Sequence, residues 1–379
     1  DVRYIEMVPT GGQPTPDGNK IVPFYLKGWE YSDDFKQMTI HLRKGVKYSD
    51  GTPLTADDII FWWNYEANNE VIQPVPPKKW SNPYLEVVKE DDYTVTYTFG
   101  KPNPREHEYN FQHNFAPGIS GGVPPSELMQ QYHPDFVGEE KVLEMAESVD
   151  LDQWEDYYYR VRDDSIVHPE YEIQRPTLRP YVVIERTETY LLLERNPYYP
   201  FVDTEGNQLP YIDRVRIQLA NDEEMAASKA ATGEATLAGR YTKTRDIPLY
   251  KRNEQKEDFS TLIYSRAYGS EFALHPNLTH KDPSLRKVFQ NIKFRKAISL
   301  ALNRKDINDK VYYGRAKAMQ ATVPPTNKEY IEEYGEAFAD FDPEKAKTLL
   351  YEMGMVDKDG DGFRERPDGE KFNPTLLYC

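Results

Sequence analysis

The repeat distance of apolar residues changes along this chain, and that change restricts the fold more than any other feature. In MTIHLR (38–43), Met38, Ile40 and Leu42 alternate with polar neighbours, the two-residue period of a half-buried strand. YTVTYTF (93–99) repeats the pattern through Tyr93, Val95, Tyr97 and Phe99. YVVIER (181–186) and YLLLER (190–195) predict a hairpin, and RVRIQLA (214–220) a further strand through Val215, Ile217 and Leu219. The last third switches to the helical period. FRKAISLAL sets Phe294, Ala297, Ile298, Ala301 and Leu302 on one stripe. Asn303 is placed to cap the next helix, with Ile307 and Val311 facing inward. Asp342-Pro343 opens another helix, lined by Ala346, Leu349, Leu350 and Met353 and ended by Gly354. Strands and helices are interspersed without strict alternation, which predicts a mixed α/β chain of several lobes.

Punctuation between these segments sharpens the reading. The turn KYSDGTP (47–53) leads to Thr55 and Asp58, a capping-box start for the helix DDIIFWWNYEANN. Residues 100–126 carry Pro102, Pro104, Pro117, Pro124 and Pro125 among several glycines, so a long loop without regular elements is expected. At 379 residues the chain exceeds the roughly 250–300 that one hydrophobic core serves, so at least two domains are expected. Cys379 is the single cysteine, which excludes a disulfide scaffold and a cysteine zinc site. The net charge of −16 argues against nucleic acid as a partner. Tyrosine is abundant, at 29 residues, and a Tyr ring packs on one side while hydrogen-bonding at its tip. No apolar run reaches the ~18 residues of a membrane span.

Several short motifs resemble catalytic or metal-binding patterns. GISGG (118–122) matches the G-x-S-x-G nucleophile elbow, with Ser120 as nucleophile of a secreted serine hydrolase. That chemistry needs a strand before the serine and a helix after it, and the flanking prolines oppose both. His107 and His113 lack the i, i+4 spacing of a helical zinc pair. DKDGDGFRERPD (357–368) places Asp357, Asp359 and Asp361 at calcium-loop positions with Gly362 at the turn. Asp368 replaces the bidentate glutamate and Pro367 disfavours the exit helix, so an Asp/Gly surface turn is the default. Aromatic clusters remain, at Trp62-Trp63, Trp80 with Tyr84, Trp154 with Tyr157–Tyr159, and Tyr264 with Tyr268. No nucleophile, metal set or phosphate loop stands out. The residues read as a binder, not an enzyme, and call for no cofactor.

WEYSDDFKQMTIHLRKGVKYSDGTPLTADDIIFWW (29–63) resembles the signature of family 5 extracellular solute-binding proteins. YLLLERNPYY (190–199), GNQLPYIDRV (206–215), FRKAISLALNRKDINDKVYYGRAKAMQATVPP (294–325) and DPEKAKTLLYEMGMVDKDGDGFRERPDGEKF (342–372) agree in order and spacing. Pro200, Asn303-Arg304 and GEATLAG (233–239) depart from the family pattern and bear on ligand preference more than on fold.

The resemblance implies periplasmic-binding-protein-like (type II) lobes with mixed sheets around a hinged cleft. It implies residues 1–178 as most of a small second lobe, 179–268 as the middle of the first, and 269–379 as the opening half of the third. On this reading the chain is a fragment of a larger receptor, with incomplete, open-edged sheets. The receptor would stand in the periplasm or outside the cell, anchored as a lipoprotein, and pass its ligand to an ABC permease in the membrane. An oligopeptide is the first expected ligand and an oligosaccharide the second. Trp80, Tyr84, Tyr264 and Tyr268 are the expected ligand contacts, with the lobe crossing near Tyr264–Ser270.

Overall fold

The computed structural model describes residues 9–15, 20–111, 114–120, 122–162, 176–239, 242–263, 273–325, 327 and 329–377. The chain divides into two compact units: Asp1–Ala230 with Glu234–Thr242, and Ala231–Gly233 with Lys243–Cys379. Residues 179–230 thus share a unit with 1–178.

The first unit opens with a small antiparallel ribbon, β1 (Gly12–Pro14) against β2 (Ile21–Pro23). Its main sheet holds β3 (Leu26–Tyr31), β4 (Gln37–Leu42), β5 (Tyr84–Asp91) and β6 (Thr94–Phe99), in the spatial order β3-β4-β6-β5. All pairings are antiparallel. Met38 pairs with Tyr97 and Ile40 with Val95, and these side chains are buried together. On the other face the Thr39 and Thr96 hydroxyls lie 3.0 Å apart. The alternation in the sequence therefore reports the buried face correctly.

Against this sheet lies the helix Ala56–Phe61, started by a capping box in which the Thr55 N–H donates to Asp58 at 3.0 Å. The other Asp58 oxygen accepts from the Ser126 N–H at 2.8 Å. Burial pushes the Asp58 carboxyl above its ordinary pKa, opposed by these two bonds. After Phe61 the helix widens into a π-helical turn, Trp62–Ala67.

Residues 100–126 correct the expectation of an unstructured loop. They contain a short helix, Glu106–Asn110, and a hairpin of β7 (Asn114–Ala116) and β8 (Ile119–Ser120). The Glu106 carboxylate accepts from Tyr84, Asn103 and Asn110, while Phe111, Phe115, Ala116 and Ile119 are buried in the core. Those anchors outweigh the breaking tendency of proline and glycine. Four helices follow, Ser126–Gln130, Pro134–Val137, Glu139–Glu147 and Trp154–Arg162. A second sheet of β9 (Tyr181–Arg186), β10 (Tyr190–Arg195) and β11 (Arg214–Gln218) realises the predicted hairpin and strand. Leu193 of β10 sits opposite both Val183 and Val215.

The second unit is helical among its described residues. Helices Pro283–Gln290 and Ile292–Ala301 are capped by Asp282 and Asn291. Val288, Phe289, Phe294 and Met355 form one cluster, and Ala297 and Leu300 meet Ala346 of the helix Pro343–Glu352. Asn303 caps Arg304–Val311 through the Asp306 N–H, as expected. That helix buries no residue, and Val311 is 56% exposed. The inward orientation expected for Ile307 and Val311 is thereby corrected. Such a short, charged helix gains more from exposed ion pairs, Lys305–Asp309 and Lys310–Asp306, than from an apolar stripe.

Candidate functional site

The first unit carries an open cavity of about 190 Å³ lined by Trp62, Glu66, Ala67, Ile72, Gln73, Pro77, Trp80, Gly118, Tyr159 and Arg162. Local sequence explains each wall. The π-helical turn carries Trp62 and Glu66, and places Trp63 elsewhere, beneath the Lys78 ammonium at 5.8 Å. Pro74, Pro76 and Pro77 keep the next segment out of an α-helix. Trp80 follows a 3₁₀ turn, Pro77–Lys79, and its Nε1–H donates to the Val75 carbonyl at 2.9 Å. This bond holds the half-buried indole at the cavity wall.

Behind Trp80 stands Tyr84, edge-on at 5.2 Å between ring centroids. Tyr84 is 4% exposed and donates its hydroxyl to Glu106 at 2.5 Å. Burial, then the Glu106 charge, raise the Tyr84 pKa far above its ordinary value. Burial likewise pushes the Glu106 carboxyl up, against the three donors that favour its charged form. Tyr84 thus backs the indole from beneath.

The polar wall comes from two helical segments. Glu66 is buried; its Oε1 accepts from the Tyr158 hydroxyl at 2.7 Å and its Oε2 from Arg162 Nε at 2.7 Å. Tyr159 donates its hydroxyl to the Ile72 carbonyl, tying the helix Trp154–Arg162 to the segment after the π-turn. Gly118, in the β7–β8 turn with φ of +79°, meets Trp62: a Cβ there would lie 2.6 Å from the indole. The result sets flat aromatic faces beside a pinned carboxylate, a guanidinium and the Gln73 carboxamide.

Of the four aromatic residues expected at the ligand, Trp80 lines this cavity and Tyr84 supports it. Tyr264 and Tyr268, with the crossing expected at 264–270, lie outside the described residues, as does His113. Tyr159 stands in one of the aromatic clusters read from the sequence, whereas neither Glu66 nor Arg162 is singled out there. The spacing of Trp62 and Glu66, four apart on one helix, was the available signal for the first. For Trp154 with Tyr157–Tyr159, the sequence alone does not tell which ring faces outward.

The remaining motifs fall elsewhere. His107 Nδ1 lies 3.0 Å from the Tyr31 hydroxyl, and burial pulls its pKa down. Ser120 ends a hairpin strand, and the next helix begins only at Ser126; the strand-turn-helix of a nucleophile elbow is not formed. Asp357, Asp359 and Asp361 bring carboxylate oxygens within 4.8 Å of one another, all exposed. Asp357 accepts from the Gly360 and Gly362 N–H groups at 2.7 and 2.9 Å, and Lys371 bonds Asp361 at 2.5 Å. The turn is closed by its own amides and a lysine.

Comparison with known proteins supplies a second line of argument. Residues 20–379 match the family model described as bacterial extracellular solute-binding proteins, family 5 middle. The periplasmic alpha-galactoside-binding protein of Rhizobium meliloti (strain 1021) is 26% identical over 372 residues, covering 94% of this chain and 49% of that protein. The dipeptide-binding protein of Escherichia coli (strain K12) is 24% identical over 362 residues, covering 89% and 55%. Among solved structures, an oligopeptide-binding protein OppA superposes with a TM-score of 0.68 at 34% identity, covering 97% of this chain and 57% of that one. The periplasmic binding protein MelB of Agrobacterium fabrum C58, in complex with stachyose, gives 0.67 at 22% identity, covering 98% and 54%. The chain spans about half the length of the curated relatives it matches.

Proposed function

The chain belongs to the bacterial extracellular solute-binding proteins of family 5, and we propose that it serves as a receptor that captures an oligosaccharide for import. The observation that carries the ligand class is the cavity of the first unit. A sugar presents C–H faces that stack on rings, and hydroxyls that bond carboxylate, guanidinium and amide groups. Trp62, Trp80 and Tyr159 supply rings, while Glu66, Arg162 and Gln73 supply the polar groups. Glu66 and Arg162 are paired at 2.7 Å, so their charges offset one another. A peptide terminus calls for an unmatched charge, whereas an uncharged sugar does not.

The second reading is an oligopeptide, favoured by the 34% identity to an oligopeptide-binding protein. On either reading the ligand leaves unchanged, with no catalytic step. The receptor works outside the cytoplasmic membrane, held there as a lipoprotein, and delivers its cargo to an ABC permease. Segments 1–178, 179–268 and 269–379 are read as parts of three lobes of the whole receptor.

Calorimetric titration tests the reading, with stachyose and an unblocked nonapeptide as probes against wild type and Trp80→Ala. Saturable stachyose binding weakened about 5- to 150-fold by Trp80→Ala, equivalent to ~1–3 kcal/mol, is the expected result. Nonapeptide binding without stachyose binding selects the second reading. Affinities within about twofold of each other remove Trp80 from the ligand contacts.

A further inference from the structure

His133 does not line the cavity, yet one of its ring nitrogens holds an element that does. Its side chain is fully buried, boxed by the rings of Phe61, Tyr65, Phe136, Trp154 and Tyr158. Nδ1 accepts from the Asp135 N–H at 3.2 Å, capping the helix Pro134–Val137. Nε2 lies 3.2 Å from the Tyr65 carbonyl. A carbonyl only accepts, so these two contacts together assign the neutral ring with its proton on Nε2. Tyr65 belongs to the π-helical turn that places Trp62 and Glu66 on the cavity wall. Tyr158 packs its ring on His133 at 5.7 Å and donates its hydroxyl to Glu66. One imidazole therefore holds the turn through a carbonyl and backs the tyrosine that fixes the carboxylate.

We propose that neutral His133 is a positioning residue for the cavity, clamping the π-helical turn, and that protonation of its ring opens the clamp and weakens ligand capture in acid. The inference rests on the reading of this cavity as the ligand site. A second proton on Nδ1 would face the Asp135 N–H, donor against donor, so the cap and the ring position cannot both persist. The groups facing the ring are known on each side. From its own helix the Asp135 carboxylate lies 3.9 Å from Nδ1. The π-turn brings Tyr65 and Glu66, the latter paired with Arg162, and the helix Trp154–Arg162 brings Tyr158. Tyr132 lies in the same cluster. Asp135, the bond to the Tyr65 carbonyl and Glu66 favour the cation, but burial outweighs them and holds the His133 pKa below the ordinary histidine value. The sign follows from that depression. Below about pH 6.5 the unfolded chain takes up a proton that the folded ring still refuses, so the clamp costs stability progressively as pH falls.

The experiment uses the whole chain as wild type, His133→Gln, His133→Phe and Trp80→Ala. Stachyose affinity is measured by calorimetry between about pH 8 and pH 5, and near-ultraviolet circular dichroism follows the aromatic box over the same range. Wild type should lose about fivefold or more in affinity toward pH 5, with a matching spectral step. His133→Gln, which keeps an N–H for the Tyr65 carbonyl and cannot titrate, should bind at pH 8 and show neither change. His133→Phe should stay folded and bind about tenfold more weakly at every pH. A spectrum and affinity with the same pH dependence in wild type and His133→Gln overturn the proposal, as does full affinity in His133→Phe. Unchanged affinity in Trp80→Ala overturns the cavity as ligand site. A spectral step in wild type alone, with no stachyose binding, upholds the clamp and overturns the sugar reading.

Discussion

Gly118 borders the cavity at φ of +79°, a backbone conformation that side chains with a Cβ rarely adopt. Space forbids a Cβ there as well. It would meet Trp62 at 2.6 Å and Tyr84 at 2.9 Å, and both rings are buried among core neighbours that leave them no retreat. Backbone strain and overpacking therefore act together in Gly118→Ala. The expected loss is roughly 2–3 kcal/mol, read as a lower urea midpoint with unchanged slope. Because the displaced ring is Trp62, stachyose affinity should fall in the same variant. A midpoint within experimental error of wild type would mean that the turn relaxes and that Gly118 does not shape the wall.

Among the elements, the helix Pro343–Glu352 shows how directly sequence chemistry becomes structure. Asp342 accepts from the Lys345 N–H at 2.9 Å, with proline at the first helical position. Asp342→Ala leaves that amide without its cap, and a loss of about 1 kcal/mol is expected in the unfolding free energy. Asp342→Asn, which still offers an acceptor, should recover most of it; equal losses in both would assign the effect to charge instead of capping. Signals of this kind were legible at several elements. Period-two runs marked β4, β6 and β11, two apolar runs either side of a short turn marked the β9–β10 hairpin, and caps marked the helix starts at Ala56, Arg304 and Pro343. The β7–β8 hairpin was not legible, because strands of three and two residues carry no period, and their stability comes from burying Phe115 and Ile119. The π-turn was hidden for a related reason. Its apolar spacing is that of an α-helix, and the extra residue per turn is settled by contacts with Tyr158 and His133 from later in the chain.

For the whole molecule, the cavity's walls all come from the first unit, drawn from residues 62–80, 118 and 159–162. The second unit has its own apolar clusters, around Val288, Phe289, Phe294 and Met355 and around Ala297, Leu300 and Ala346. A ligand that binds only the folded cavity stabilises what forms it, by an amount set by concentration over Kd. At about a hundred times Kd this is ~2.7 kcal/mol, close to a hundredfold slowing of hydrogen exchange where opening destroys the site. With stachyose bound, amides in 62–80 and 154–162 should slow by up to that factor. Amides in 285–300 and 343–355, which belong to the other clusters, should exchange as in the free protein. Protection appearing in those helices too would place ligand contacts beyond the cavity. Protection absent from 62–80 would move the binding site away from Trp80 altogether.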